Sequence, residues 1–193
     1  MATLSVPRRM MATTHVFVGL VVAATVALLE PAFALEAGIA AIVGGLFPDL
    51  DVVAAHRKTL HFPVYYSMLA VPATVLAVAR PAGPTVAIAV FLLAAAAHSL
   101  SDALGGGHEL RPWEGQSPRA VYSHYHGRWL EPRRWIGYDG SPGDLALASM
   151  LALPALLVFD GFVRTVVVGM LVVSIGYAAL RKSVAAGTER FVE

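Results

Sequence analysis

The chain has 193 residues, of which 57% are hydrophobic and 14% charged, against roughly 25% charged in an ordinary soluble domain, so it cannot cover itself with polar surface. A net charge of +1 offers no general attraction for nucleic acid or for an acidic substrate. The absence of cysteine excludes disulfides, thiolate metal ligands and a thiol nucleophile, so any metal must be held by His and carboxylate.

The length allows one unit, a single integral membrane domain over 1–193. Arg8 and Arg9 precede an apolar run, and Ala32-Phe33-Ala34 has the form of a signal-peptide cleavage site. The rest of the chain is itself rich in spans, and the first run carries a polar His15, so the segment reads as a retained first helix. Apolar runs then mark six spans, over Thr13 to Leu29, Ala32 to Phe47, Val64 to Ala79, Thr85 to Leu104, Leu145 to Phe159 and Phe162 to Leu180. The second is the weakest. Glu30-Pro31, the stretch after Pro48, Arg80-Pro81 with Gly83-Pro84, and Asp160-Gly161 break the runs. One connection is long, 105–144, rich in Gly, Pro, Arg, Trp and Tyr and without helical or alternating period. The fold class expected is all-α, a polytopic membrane helix bundle of about six transmembrane helices with one long cytoplasmic loop.

Positive charge fixes the expected orientation. With the N-terminus inside, the cytoplasmic segments hold Arg8, Arg9, Arg57, Lys58, Arg111, Arg119, Arg128, Arg133, Arg134, Arg181, Lys182 and Arg190; the other side keeps only Arg80 and Arg164. That asymmetry predicts a multi-pass protein of the cell membrane with both termini cytoplasmic.

The polar residues that hydropathy does not explain fall at this same end. His15 starts helix one, Asp49 and Asp51 follow helix two, His56 and His61 occupy the next loop, and His98 and Asp102 end helix four. The two carboxylates of Phe47-Pro48-Asp49-Leu50-Asp51 sit two apart and point the same way from an extended segment; in isolation D-x-D is commonly a solvated turn. His98 and Asp102 are i, i+4 on one helical face, where imidazole and carboxylate reach one ion or simply each other. Polar groups this close to hydrocarbon are costly and mark function. Four His and three Asp from four separate stretches together point to a metal centre with ligands His15, Asp49, Asp51, His56, His61, His98 and Asp102.

These residues carry a resemblance. Thr14-His15, Phe47-Pro48-Asp49-Leu50-Asp51, His56-Arg57 followed by His61, and His98 with Asp102 resemble the YdjM-like inner-membrane proteins, described as LexA-binding or as predicted metal-dependent hydrolases. The likeness covers about the first 105 residues. Where that family has a small residue after His-Arg and Thr-His-Ser at the second His, this chain has Lys58 and Leu60-His61-Phe62. The resemblance implies a multi-span membrane protein with a metal centre.

The long loop holds a second set, His108, Glu109, His124, His126, Glu131, Asp139 and Asp144. His124 and His126 would project together from an extended strand, and Asp144 after Pro142-Gly143 reads as the N-cap of helix five. Arg111, Arg128, Arg133 and Arg134 with Trp113, Trp129 and Trp135 give the loop the character of an interfacial cap, and its arginines suit a phosphate.

The leading expectation is metal-assisted hydrolysis at the cytoplasmic membrane face, with one or two divalent ions, zinc or manganese. Asp51 is expected as a bridging ligand or general base and Arg57 as the group that steadies an anion. The expected partners are membrane lipid and a phosphoester or lipid substrate, with no nucleic acid. Gly and Ala in every span leave a homo-oligomer open. The alternatives are a metal carrier or sensor without chemistry, which the apolar middle of every span disfavours as a transporter, and a scaffold that binds a regulator.

Overall fold

A computed structural model describes residues 10–109 and 111–192, with side chains described as far as 187. Arg8 and Arg9 lie outside the described residues, as does the side chain of Arg190. Among the described residues six α-helices carry the fold: α1 (Ala12–Leu29), α2 (Ala34–Leu46), α3 (Pro63–Ala79), α4 (Gly83–Ser101), α5 (Pro142–Val158) and α6 (Gly161–Val192). The all-α bundle read from the sequence is what the chain forms.

Four segments are long and apolar enough to cross a membrane: Ala12–Leu29, Pro31–Val53, Gly83–Leu104 and Gly161–Gly187. The second gains its length in an unexpected way. The α-helical part of α2 has 13 residues, and 3-10 turns at Pro31–Phe33 and Phe47–Val53 extend it at both ends. Helices α3 and α5 stay at 17 residues each, about 26 Å at 1.5 Å per residue, a little short of the hydrocarbon core. Proline opens α3 and α5 at their first turn, where the missing N–H has no intrahelical partner to lose. Helix α6 runs beyond the expected Leu180 to Val192.

Helices α1, α2 and α4 form the inner group, made possible by small residues. A Cβ added at Gly19 would stand 2.8 Å from the Cβ of Ala94 and 3.1 Å from the Ala41 carbonyl; one added at Gly45 would stand 2.7 Å from the Val16 Cα. Backbones approach this closely only where no side chain intervenes. Around them Val16, Phe17, Leu20, Ala41, Val90, Ala148, Ala152 and Val167 are buried in one apolar core. Helix α3 packs on α4, and α5 lies between α1 and α6.

Polar clamps draw the functional end together. Asp144 accepts hydrogen bonds from the Met11 N–H at 2.8 Å, the Thr14 hydroxyl at 2.7 Å and the Gly140 N–H at 3.0 Å, tying the start of α5 to the start of α1. The N-cap of α5 is Ser141, whose hydroxyl accepts from the Asp144 N–H. This corrects the reading of Asp144 as the cap: the helix begins three residues earlier, and the carboxylate turns to α1. Ser174 of α6 donates to the Thr13 hydroxyl at 2.7 Å.

Among the described residues of 105–141 the regular structure is a 3-10 turn at Pro112–Glu114 and one small antiparallel hairpin, β1 (Tyr122–Ser123) and β2 (Arg128–Trp129). The loop folds back over the segment between α2 and α3. The Tyr122 N–H donates to the Arg57 carbonyl at 2.9 Å, His124 Nε2 donates to the Lys58 carbonyl at 2.6 Å, and the Lys58 ammonium lies 4.6 Å over the Tyr122 ring.

Candidate metal centre

The 3-10 segment Phe47–Val53 and the loop that follows it bring Asp49, Asp51, His56 and His61 against the first turn of α1 and the last turn of α4. The spacing within α4 then matters. His98 and Asp102 project from one face toward His15, and the His15 and His98 rings stack with centroids 3.9 Å apart. His15, His61, His98 and Asp102 are fully buried, and the Asp49 side chain is 10% exposed.

Three imidazoles turn the same edge inward. His15 Nε2 stands 3.4 Å from Asp102 Oδ1. His98 Nε2 stands 3.3 Å from Asp49 Oδ1 and 3.8 Å from Asp102 Oδ2. His61 Nε2 stands 3.0 Å from Asp102 Oδ2 and 3.8 Å from Asp49 Oδ1. Two overlapping groups, His15 with His98 and Asp102, and Asp49 with His61 and His98, each bring one donor atom per residue within 4.8 Å of one another.

The outer edge of each ring is fixed by a partner that sets its tautomer. His98 Nδ1 donates to the Gly45 carbonyl at 2.6 Å, and a carbonyl only accepts. His61 Nδ1 donates to Asp51 Oδ2 at 3.0 Å. His15 Nδ1 is 2.9 Å from the Ser101 hydroxyl, whose own proton goes to the His98 carbonyl at 3.0 Å, so the hydroxyl accepts from His15. With Nδ1 protonated in all three rings, each neutral imidazole presents its Nε2 lone pair to the interior.

That arrangement opposes itself unless a cation enters. In a buried space three ring nitrogens face two carboxylates; His15 Nε2 and His98 Nε2 make no hydrogen bond, while His61 Nε2 and Arg57 Nη2 stand 3.0 and 3.2 Å from the oxygens of Asp102. Buried acceptors without donors are costly. An ion about 2.1 Å from each donor would hold neighbouring donors about 3–3.5 Å apart, close to the nitrogen–oxygen separations of 3.0–3.8 Å found here. The buried cluster can therefore hold a metal ion, and a Nδ1–H bound to carbonyl, carboxylate or hydroxyl is the outer-shell pattern of metal-bound histidine. His98 has a single Nε2 lone pair, so the two overlapping groups cannot each keep it for an ion of their own.

Asp51 has a different neighbourhood from Asp49 and Asp102. Its Oδ1 accepts from His56 Nδ1 at 2.6 Å and the Arg57 N–H at 3.3 Å; its Oδ2 accepts from His61 Nδ1 and from the N–H groups of Lys58 and Leu60, both at 3.2 Å. Five donors take up the lone pairs of one carboxylate, and the loop 56–61 is wound around it. His56 stands behind this carboxylate, edge-on to His61 with ring centroids 5.4 Å apart.

Arg57 is fully buried with φ at 58°, an uncommon conformation outside glycine that surrounding contacts must hold. Its Nη1 donates to the carbonyls of Gly106 and Ala120, both at 3.1 Å, and its Nη2 lies 3.2 Å from Asp102 Oδ1. One guanidinium thus joins the long loop to a carboxylate of the centre.

His61 lies outside the spanning segments. Burial pulls its pKa down, but hydrogen bonds from its two nitrogens to Asp102 and Asp51, with the charges of both, prevail and raise it to about 9. In the metal-free chain a proton on this ring takes the place of a cation.

The second set of the sequence reading does not assemble. His124 goes to the Lys58 carbonyl, while His126 Nδ1 pairs with the Ser123 hydroxyl at 2.8 Å within the hairpin turn. They do not project together, because the strand ends at Ser123 and the chain turns. Glu109 accepts from the Ser117 N–H, and Asp139 pairs with Tyr177 and Arg181. Two contributors to the centre escaped sequence reasoning. Ser101, three residues after His98, had a spacing signal; the Gly45 carbonyl had none, since every residue has one. No protein-family model, no curated protein and no solved structure matches the chain.

Proposed function

We propose that this protein is a membrane metal-dependent hydrolase whose centre faces the cytoplasm and acts on a phosphoester, lipidic or small. Kinship with the YdjM-like family is part of the same proposal and rests on the motif residues around His15, Asp49, His61 and His98. The observation that carries the reading is the convergence of three tautomerically fixed Nε2 lone pairs with Asp49 and Asp102. The mixed imidazole and carboxylate set suits zinc or manganese, and the shared His98 favours one ion. Twelve Lys and Arg against two support a cytoplasmic position for this end.

A divalent ion held there would polarise the bond attacked and make water acidic enough to serve as a nucleophile. The protein's own groups do the rest. Asp51 orients His56 and His61 and keeps Nδ1 of both protonated. Asp49, the one ligand with a partly exposed side chain, stands where substrate would arrive and can accept a proton from the attacking water. Arg57 neutralises Asp102 and holds the loop over the site. The enclosure of the ligands supports a second reading, a metal-binding protein without catalysis, acting as carrier, sensor or regulator-binding scaffold.

Elemental mass spectrometry on detergent-purified protein, beside a His98→Ala, Asp102→Ala double variant, tests the centre. Stoichiometric metal that disappears in the variant is expected, followed by turnover in a screen of phosphoesters and lipids. Metal in neither protein, even after addition, would sink both readings; bound metal with no turnover would leave the second.

A further inference from the structure

Away from the metal centre, the bundle carries a groove of about 490 Å³ between the start of α5 and the later part of α6. Leu145, Ile175, Ala178 and Ala179 supply an apolar strip, and Arg181 and Lys182 follow it one turn further along α6. Arg181 is unusual for a cation at such a place, being 2% exposed. Its Nε donates to Asp139 Oδ2 at 3.0 Å and its guanidinium lies 5.4 Å over the Trp113 ring. Its Nη2 makes no hydrogen bond. The Asp139 oxygen that holds Nε is shared with the Tyr177 hydroxyl, so the pair fixes the guanidinium without using all its donors.

Depth along the helix identifies the surroundings. From Gly161 to Arg181 is 20 residues of one helix, about 30 Å at 1.5 Å per residue, the thickness of a hydrocarbon core. With the α5–α6 turn at one interface, Arg181 and Lys182 lie at headgroup level on the other, and the apolar strip lies at acyl-chain level. The start of α5 at Pro142 also lines the groove and adds the positive end of a helix dipole.

We propose that this groove binds one anionic phospholipid, its phosphate against Arg181 and Lys182 and a chain along Leu145, Ile175 and Ala178. A buried guanidinium donor without an acceptor is costly, and a phosphate oxygen satisfies it in a charge-assisted bond. The apolar strip distinguishes a lipid from free phosphate. The site is separate from the metal centre, so it stands whether or not the protein is a hydrolase.

Native mass spectrometry of the full chain in detergent tests this with phosphatidylglycerol, with phosphatidylcholine of the same acyl chains, and with inorganic phosphate. One phosphatidylglycerol should be retained per chain, at least tenfold more tightly than phosphatidylcholine. Lys182→Gln, which weakens the cationic end, and Ala179→Trp, which fills the strip, should each lower retention about tenfold while metal content stays that of the unaltered protein. Equal retention of the two lipids, undiminished retention in both variants, or inorganic phosphate bound as tightly as the lipid would overturn the proposal.

Discussion

The Gly45 carbonyl accepts a 2.6 Å hydrogen bond from His98 Nδ1, so the last turn of α2 fixes the tautomer of an imidazole on α4. Gly45 also lets α1 approach from another side: a Cβ there would stand 2.7 Å from the Val16 Cα and 3.2 Å from its N. Gly45→Ala should therefore push α1 off α2, moving His15 and the carbonyl together. Overpacking of this kind costs about 1–3 kcal/mol, and metal content should fall with it. A thermal melt and a metal assay on the same sample check this; a variant that melts normally with full metal would show that the contact is slack.

Asp51 touches two of the histidines and takes five donors. Asp51→Asn should leave the ligand set in place but weaken metal binding about 10–100-fold, the usual cost of losing an outer-shell carboxylate. Competition with a chromogenic chelator measures it. If Asp51→Asn strips the metal as completely as Asp102→Asn does, Asp51 is itself a ligand.

The proton on His61 competes with the ion. With a metal-free pKa of about 9, apparent metal affinity should fall as pH drops below 9, by up to about tenfold per unit for one displaced proton. Stability runs the other way in metal-free protein. The pKa is raised above the ordinary 6.5, so its contribution is complete below pH 6.5 and is lost as pH rises through 9. Melting temperatures between pH 6 and 9.5, with chelator and with added metal, should diverge as pH rises; parallel curves would exclude His61 from the centre.

Arg57 neutralises Asp102 and grips two loop carbonyls. Arg57→Ala should cost about 3–5 kcal/mol in metal-free protein, as loss of one partner in a buried pair does, and should expose 105–144 to protease. Metal should recover part of the loss, because an ion neutralises the same carboxylate. A denaturation series with and without metal reads this directly; an equal loss in both would mean that Arg57 acts only on the loop.

The amino-acid sequence by itself determined the six apolar helices, because runs of this length have few other places to go; four of the resulting segments are long and apolar enough to cross a membrane. Proline and glycine at the breaks, such as Pro31 and Gly161, set the neighbouring helix boundaries to within about two residues, while α5 begins at Pro142 before the expected Leu145 and α6 continues past Leu180. It also determined which residues gather at one end, since the parity of the spans puts the start of α1, the end of α2 and the end of α4 on the same side. Tertiary structure alone decided their roles. Asp49 and Asp51 are two residues apart and chemically identical, yet one faces His98 and the other is encircled by the 56–61 turn, because the 3-10 segment sends alternate carboxylates in different directions. The same holds for His124 and His126, separated by a turn that no periodicity announced. A hydrogen bond to a particular carbonyl, or a guanidinium bridging a loop to a carboxylate, depends on distances between segments far apart in the chain, and such distances have no local signature.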